Sequence, residues 1–97
     1  MKTYTLCGSM RFEKEMKEIA CLLETQHCFN ILQCTYTHKA LTDRELEQLT
    51  AAHYRKIDIS DGIYVVNIGG YIGESVAAEI AYAKAQGKEI LYHYPLI

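Results

Sequence analysis

The sequence alternates short apolar runs with segments of helical periodicity, and this alternation constrains the fold more than any other feature. Four runs have β-strand character, and an amphipathic segment separates each from the next. The predicted strands are residues 3–7, 28–34, 62–68 and 89–94, and the predicted helices are residues 11–26, 42–59 and 74–86. Strands that alternate with helices are parallel and joined by helical crossovers. The pattern therefore predicts a small three-layer α/β sandwich with a parallel sheet in strand order 2-1-3-4.

Local signals fix several boundaries of these elements. Thr42 and Glu45 have the spacing of a capping box, which predicts that the second helix starts there. Ser9 is a candidate N-cap for the first helix, and Gly87 is a candidate C′ cap for the third. Residues 62–68 are apolar nearly throughout, as expected of a central strand that is covered on both faces.

Length, composition and charge exclude several classes of protein. The chain has 97 residues, 49% of them hydrophobic and 23% charged, which predicts one globular domain over residues 1–97. No apolar run approaches the length of a membrane span, and the N-terminus lacks the pattern of a signal peptide. We therefore expect a cytoplasmic protein without a membrane partner. The net charge of −2 and the lack of a basic block argue against duplex nucleic acid as a partner, although single nucleotides stay possible.

The cysteines predict neither a metal site nor disulfide bonds. They occur at positions 7, 21, 28 and 34, with no C-x-x-C pair and no accompanying histidine pair. We expect free thiols in a reducing compartment, with Cys7 and Cys28 as small core residues.

Two glycine-containing loops are predicted to meet at one crevice. In parallel sheets, ligands bind beyond the carboxyl ends of the strands, where the strand order reverses. That point falls between strands 1 and 3, so residues 8–11 and 69–73 converge there and lead into helix N-termini. Helix N-termini favour anions, to which Ser9 adds a hydroxyl group and Arg11 a guanidinium group. The alternative, equally supported, is that the glycines only form tight turns and that Ser9 only caps the helix.

Four further residues are candidates for chemistry or for the core. Glu79 lies at the edge of the buried stripe of the third helix, where a partly desolvated carboxylate could act as a nucleophile or base; the alternative is a solvated helix glutamate. Asn67 is either a polar contact at the crevice or a turn residue, and Tyr71 could stack on a base or sugar. His53 lies on an apolar helix stripe, which favours a hydrogen-bonded core residue.

Five blocks of sequence, spread over nearly the whole chain, carry a resemblance to a known family. The blocks are LCGSMRF (6–12), HYRKIDISD (53–61), VVNIGGYIGES (65–75), EIAYA (79–83) and GK (87–88). On these blocks the chain resembles small bacterial and phage proteins of the nucleoside 2-deoxyribosyltransferase-like superfamily, many of which have no established function. Enzymes of this superfamily are deoxyribosyltransferases and nucleotide N-glycosidases with a Rossmann-like or flavodoxin-like sheet, and they are often oligomers.

The resemblance implies roles for particular residues. Glu79 opens the segment that carries the nucleophile of such enzymes, and Asp61 is similar to their aspartate at the start of the third strand, although that end of the strand is remote from the crevice. The resemblance implies that Cys7, Gly8, Ser9 and Arg11 help to bind the nucleotide. The predicted position of the crevice, rather than the resemblance, adds further candidates for substrate binding: Asn67, Gly70, Tyr71, Gly73 and Ser75. The implied partner is a nucleoside or nucleotide, the implied assembly is a homodimer or larger homo-oligomer, and no metal or organic cofactor is required.

Two departures from the family pattern leave alternatives open. The loop at residues 35–41 is shorter than in catalytic members, and the fourth predicted strand is the last one predicted, where larger members have a fifth. Both departures predict an open crevice, which excludes water poorly. The alternatives are an enzyme whose site a neighbouring subunit completes, a non-catalytic nucleotide-binding or sensing module, and an assembly protein whose tyrosines form the interface.

Overall fold

The computed structural model describes residues 1–95, in which strands and helices alternate along the chain. The strands are β1 (Thr3–Gly8), β2 (Asn30–Leu32), β3 (Gly62–Val66) and β4 (Glu89–Tyr92). The α-helices are α1 (Glu13–Gln26), α2 (Asp43–Asp58) and α3 (Glu74–Ala85), and short 3-10 turns occupy Met10–Phe12 and Ile68–Gly70. The predicted α/β class is confirmed.

The four strands form one parallel sheet in the order β2-β1-β3-β4, as the sequence predicts. β1 pairs with β3 so that Cys7 lies opposite Val65 and Gly8 opposite Val66. β1 therefore ends beside the end of β3, at the point where the strand order reverses. The loops that follow these two strands leave the sheet at the same edge.

Both faces of the sheet are covered by helices. Tyr4 and Leu6 of β1 belong to the core cluster that contains Met16 of α1. Cys7 belongs to a second cluster, on the opposite face, which contains Ile57 of α2 and residues of α3. Side chains alternate between the faces of a strand, so consecutive residues of β1 supply both cores.

The helix ends follow the predicted local signals, with one shift. Thr42 Oγ1 accepts a hydrogen bond from the backbone N–H of Glu45 at 3.1 Å, and the Thr42 N–H donates to Glu45 Oε1 at 3.0 Å, which confirms the capping box. Gly87 has a φ of 70°, the left-handed conformation of a C′ residue. Ser9 caps the 3-10 turn through a bond from the Arg11 N–H, so α1 begins at Glu13 rather than at residue 11.

Three strands are shorter than predicted, and one cysteine was misplaced. β2 covers only Asn30–Leu32: Cys28 adopts a φ of 57° in the turn after α1, which delays the start of the strand, and pairing with β1 ends at Leu32. Cys28 is exposed, so its prediction as a core residue is wrong, whereas Cys7 is buried as predicted. β3 and β4 end at Val66 and Tyr92, where the chain turns. Among residues 1–95, none of the helices combines the length and apolar composition that crossing a bilayer requires.

Candidate functional site

A cavity of about 790 Å³ lies at the carboxyl edge of the sheet. Its walls come from the loop after β1, residues 34–41, one side of α2 and the first turns of α3. The volume falls within the range of sites that hold small molecules, roughly 300–1,000 Å³. The position is the one that the reversal of strand order predicts for a ligand site.

Three chemically reactive side chains meet at the base of this cavity. His53 Nε2 lies 3.1 Å from Glu79 Oε1 and 3.6 Å from Cys7 Sγ. The residues come from α2, α3 and β1, and therefore from three separate elements that pack on one face of the sheet. His53 and Glu79 line the cavity with side chains only 12% and 14% exposed, and Cys7 lies buried beneath them.

The Cys7 thiol is held in its neutral form. Burial raises its pKa well above the ordinary value for cysteine, and the neighbouring Glu79 carboxylate raises the pKa further. A thiolate is the nucleophilic form of cysteine. The unassisted Cys7 side chain is therefore a poor nucleophile, and Glu79 is the better candidate at this site.

His53 lies in the wall of the cavity, where its sequence pattern predicted a core residue. Its Nε2–H donates to Glu79 Oε1, which occupies one carboxylate oxygen and restrains the side chain. Its Nδ1 is buried and has no hydrogen-bond partner among residues 1–95. His53 belongs to the stripe of α2 that also contains Leu49 and Ile57. Leu49 and His53 face the cavity, and of the three only Ile57 is fully buried. A polar residue in the middle of an apolar stripe is the sequence feature that could have indicated a place in the cavity wall.

The entrance of the cavity carries groups that can bind an anion and an aromatic group that can stack on a ring of the ligand. Ser9, Gly73 and Ser75 line the cavity, and within residues 1–95 no side chain caps the N-terminus of α3 at Gly73. The backbone N–H groups of a helix N-terminus attract anions. Tyr71 also lines the cavity, and the Arg11 guanidinium lies 4.0 Å from the centre of the Tyr71 ring.

Several predicted site residues lie elsewhere or have other partners. Asp61 is exposed at the amino edge of the sheet, where its Oδ2 accepts the Thr3 N–H at 2.8 Å, and it is not a cavity residue because β3 begins after it. Asn67 is fully buried, and its side chain bonds to both backbone groups of Tyr94. Gly70 has a φ of 82° in the turn after β3 and lies outside the cavity wall, whereas Gly8 is part of the wall.

Comparison of the chain with models of protein families, with curated proteins and with solved structures finds no match in any of the three.

Proposed function

We propose that this protein binds a nucleoside or nucleoside monophosphate and cleaves or transfers at its N-glycosidic bond, with Glu79 as the nucleophile. The observation that carries this proposal is the position of the Glu79 carboxylate, which lies at the base of a ligand-sized cavity and is fixed by His53. The resemblance of the blocks around Gly8, Ser9 and Glu79 to nucleoside 2-deoxyribosyltransferase-like proteins supports the same residue.

The chemistry of the glycosidic bond suits a fixed carboxylate. Departure of the base gives the sugar an oxocarbenium-like transition state, which a nearby negative charge stabilises. One oxygen of Glu79 then forms an ester bond to C1′ as the C1′–N bond breaks, and the base takes up one proton from solvent as it leaves. Attack on C1′ by water or by a second base breaks the ester, restores the carboxylate and returns one proton to solvent.

His53 is a positioning residue in this scheme. Its hydrogen bond holds Oε1 of Glu79, so that Oε2 is the oxygen available to approach C1′. Both side chains belong to helices that pack on the sheet, which limits their movement. Fixing a nucleophile in this way lowers the entropic part of the barrier to reaction.

The two ends of the cavity suit the two ends of a nucleotide. Leu41, Leu46 and Leu49 form an apolar wall on the α2 side, which suits the flat face of a base. Ser9 and the uncapped N-terminus of α3 offer donors to a phosphate or to sugar hydroxyls. The sugar would then lie between these ends, over Glu79.

The test is incubation of the protein with a panel of ribo- and deoxyribonucleosides and their monophosphates, followed by chromatography for free base. We expect release of base from at least one deoxyribonucleotide or deoxyribonucleoside. Glu79→Gln should lower turnover by at least about 10³-fold and leave binding of the substrate intact. His53→Gln should lower kcat by up to about 100-fold with little change in KM, because it affects orientation rather than affinity.

A matched control separates these effects from a general loss of charge. Glu47 is an exposed glutamate of α2 outside the cavity, and Glu47→Gln should keep full turnover. Nucleotides that raise the melting temperature without release of base would contradict catalysis and favour a sensing module. If no nucleotide alters the melting temperature and no base is released, the assembly role becomes the better explanation.

A further inference from the structure

We infer that Cys7, His53 and Glu79 form a binding site for a divalent transition-metal ion, with zinc as the representative ion. Their ligand atoms all lie within 4.8 Å of one another. The residues are separated by 46 and 26 positions in the chain, so no spacing motif in the sequence could reveal them as a set. The cysteine and histidine spacing accordingly predicts no metal site.

Two of the three distances between the ligand atoms are close to those around a tetrahedral ion. Zinc binds thiolate at about 2.3 Å, imidazole at about 2.0–2.1 Å and carboxylate at about 2.0–2.2 Å, so that neighbouring ligand atoms in a tetrahedral site are separated by about 3.3–3.6 Å. The sulfur of Cys7 lies 3.6 Å from His53 Nε2, and that nitrogen lies 3.1 Å from Glu79 Oε1. The third pair, the Cys7 sulfur and the Glu79 carboxylate, lies within 4.8 Å, and a bound ion would bring these two atoms to about 3.6 Å.

The types of donor select the class of metal. A thiolate and an imidazole favour zinc and related transition metals over magnesium or calcium, which prefer oxygen ligands. Among residues 1–95, the Glu79 carboxylate makes an ion pair with no lysine or arginine. A bound cation would therefore supply the positive charge that this largely desolvated carboxylate and a deprotonated Cys7 require.

The site would leave one coordination position open. Three ligands from the protein and one exchangeable position are typical of zinc sites that contact a substrate or water. His53 and Glu79 line the cavity and Cys7 lies beneath them, so the fourth position faces the cavity. A further consequence rests on the proposed function. An ion bound to the Glu79 carboxylate prevents this carboxylate from attacking the sugar. Zinc should therefore inhibit the release of base, and a chelator should restore that release.

Cobalt(II) provides a direct test, because it binds in place of zinc and its bond to a thiolate absorbs in the near ultraviolet. The full chain, reduced with a phosphine and freed of metal, is titrated with Co²⁺ and then with Zn²⁺. We expect one equivalent of Co²⁺ to produce the thiolate charge-transfer band and tetrahedral visible bands, and Zn²⁺ to displace it. Cys7→Ser should abolish the charge-transfer band and weaken Zn²⁺ binding by more than about 100-fold.

Cys34→Ser is the matched control, because Cys34 lines the same cavity but lies outside the set of three ligands. This variant should keep the band, and circular dichroism establishes that both serine variants fold. Glu79→Gln should keep the band but reduce the affinity, as an independent check if Cys7→Ser fails to fold. Absence of binding, or a band that persists in Cys7→Ser and disappears in Cys34→Ser, would overturn the metal site. Cobalt binding without release of base from any substrate supports the metal site and overturns only the proposed function.

Discussion

Replacement of Asn67 by alanine should destabilise the fold without affecting the cavity. The Asn67 side chain is fully buried, and it accepts the Tyr94 N–H at 2.8 Å and donates to the Tyr94 carbonyl at 3.0 Å. These two bonds join the end of β3 to the segment after β4. Each hydrogen bond contributes about 0.5–1.5 kcal/mol net, so the pair contributes roughly 2 kcal/mol to the free energy of unfolding. The freed backbone groups of Tyr94 are partly buried, so leaving them unpaired adds to this cost.

The assay combines thermal and urea unfolding with nucleotide binding. For a domain of 97 residues, a loss of 2 kcal/mol lowers the melting temperature by about 8–16 °C. Asn30→Ala is the control, because Asn30 is exposed and its side chain makes one bond to Thr3, so we expect a change of less than about 0.5 kcal/mol. Equal stability losses in the two variants would refute the reasoning. An Asn67→Ala protein that keeps its stability but no longer binds nucleotide would also refute the reasoning. That result would mean that the Asn67 amide contacts the ligand.

Three further predictions concern the stability of the fold. Thr42→Ala removes the oxygen that accepts the Glu45 N–H and should lower the free energy of urea unfolding by about 1 kcal/mol; an unchanged value would contradict the role of the capping box. In Gly62→Ala, the new Cβ would clash with the backbone oxygen of Glu89, so we expect the free energy of unfolding to fall by about 3 kcal/mol. Wild-type stability of this variant would contradict the close contact between β3 and β4. Burial, together with a hydrogen bond to Glu89, raises the pKa of Tyr4 from 10.0 to about 12. The resulting stabilisation is fully present below pH 10 and is lost as the pH rises through 12. The free energy of unfolding of the wild type should therefore fall with pH over this range, and Tyr4→Phe should remove that decrease. The same decrease in Tyr4→Phe would contradict this assignment.

The features of the fold that depend on local sequence could be predicted. The alternation of strands and helices determined the parallel sheet and its order, and the Thr42 capping box marked the start of α2 to the residue. Strand ends were less predictable, because they depend on where a neighbouring strand stops pairing. The prediction for Cys28 failed for a related reason: an apolar residue beside a strand can instead occupy a left-handed turn position.

The candidate site could be predicted only in part. Parallel topology was enough to bring Gly8, Ser9 and the start of α3 to one edge of the sheet, and the helical phase was enough to place Glu79 near it. The contact between Glu79 and His53 depends on how α2 packs beside α3, and no periodicity in either helix specifies it. Asn67 was predicted to contact a ligand because it lies at the end of β3. In the structure its side chain is instead hydrogen-bonded to the backbone of Tyr94.

The central claim is that Glu79 forms a covalent bond to the sugar. It is tested most directly by incubating the protein with a nucleotide that carries fluorine at C2′, which slows the second step, and by then analysing the quenched protein by mass spectrometry. The account predicts one sugar adduct per chain, located on the peptide that contains Glu79, and no adduct in Glu79→Gln. Release of base with no adduct on Glu79, or turnover that is unchanged in Glu79→Gln, would contradict the claim.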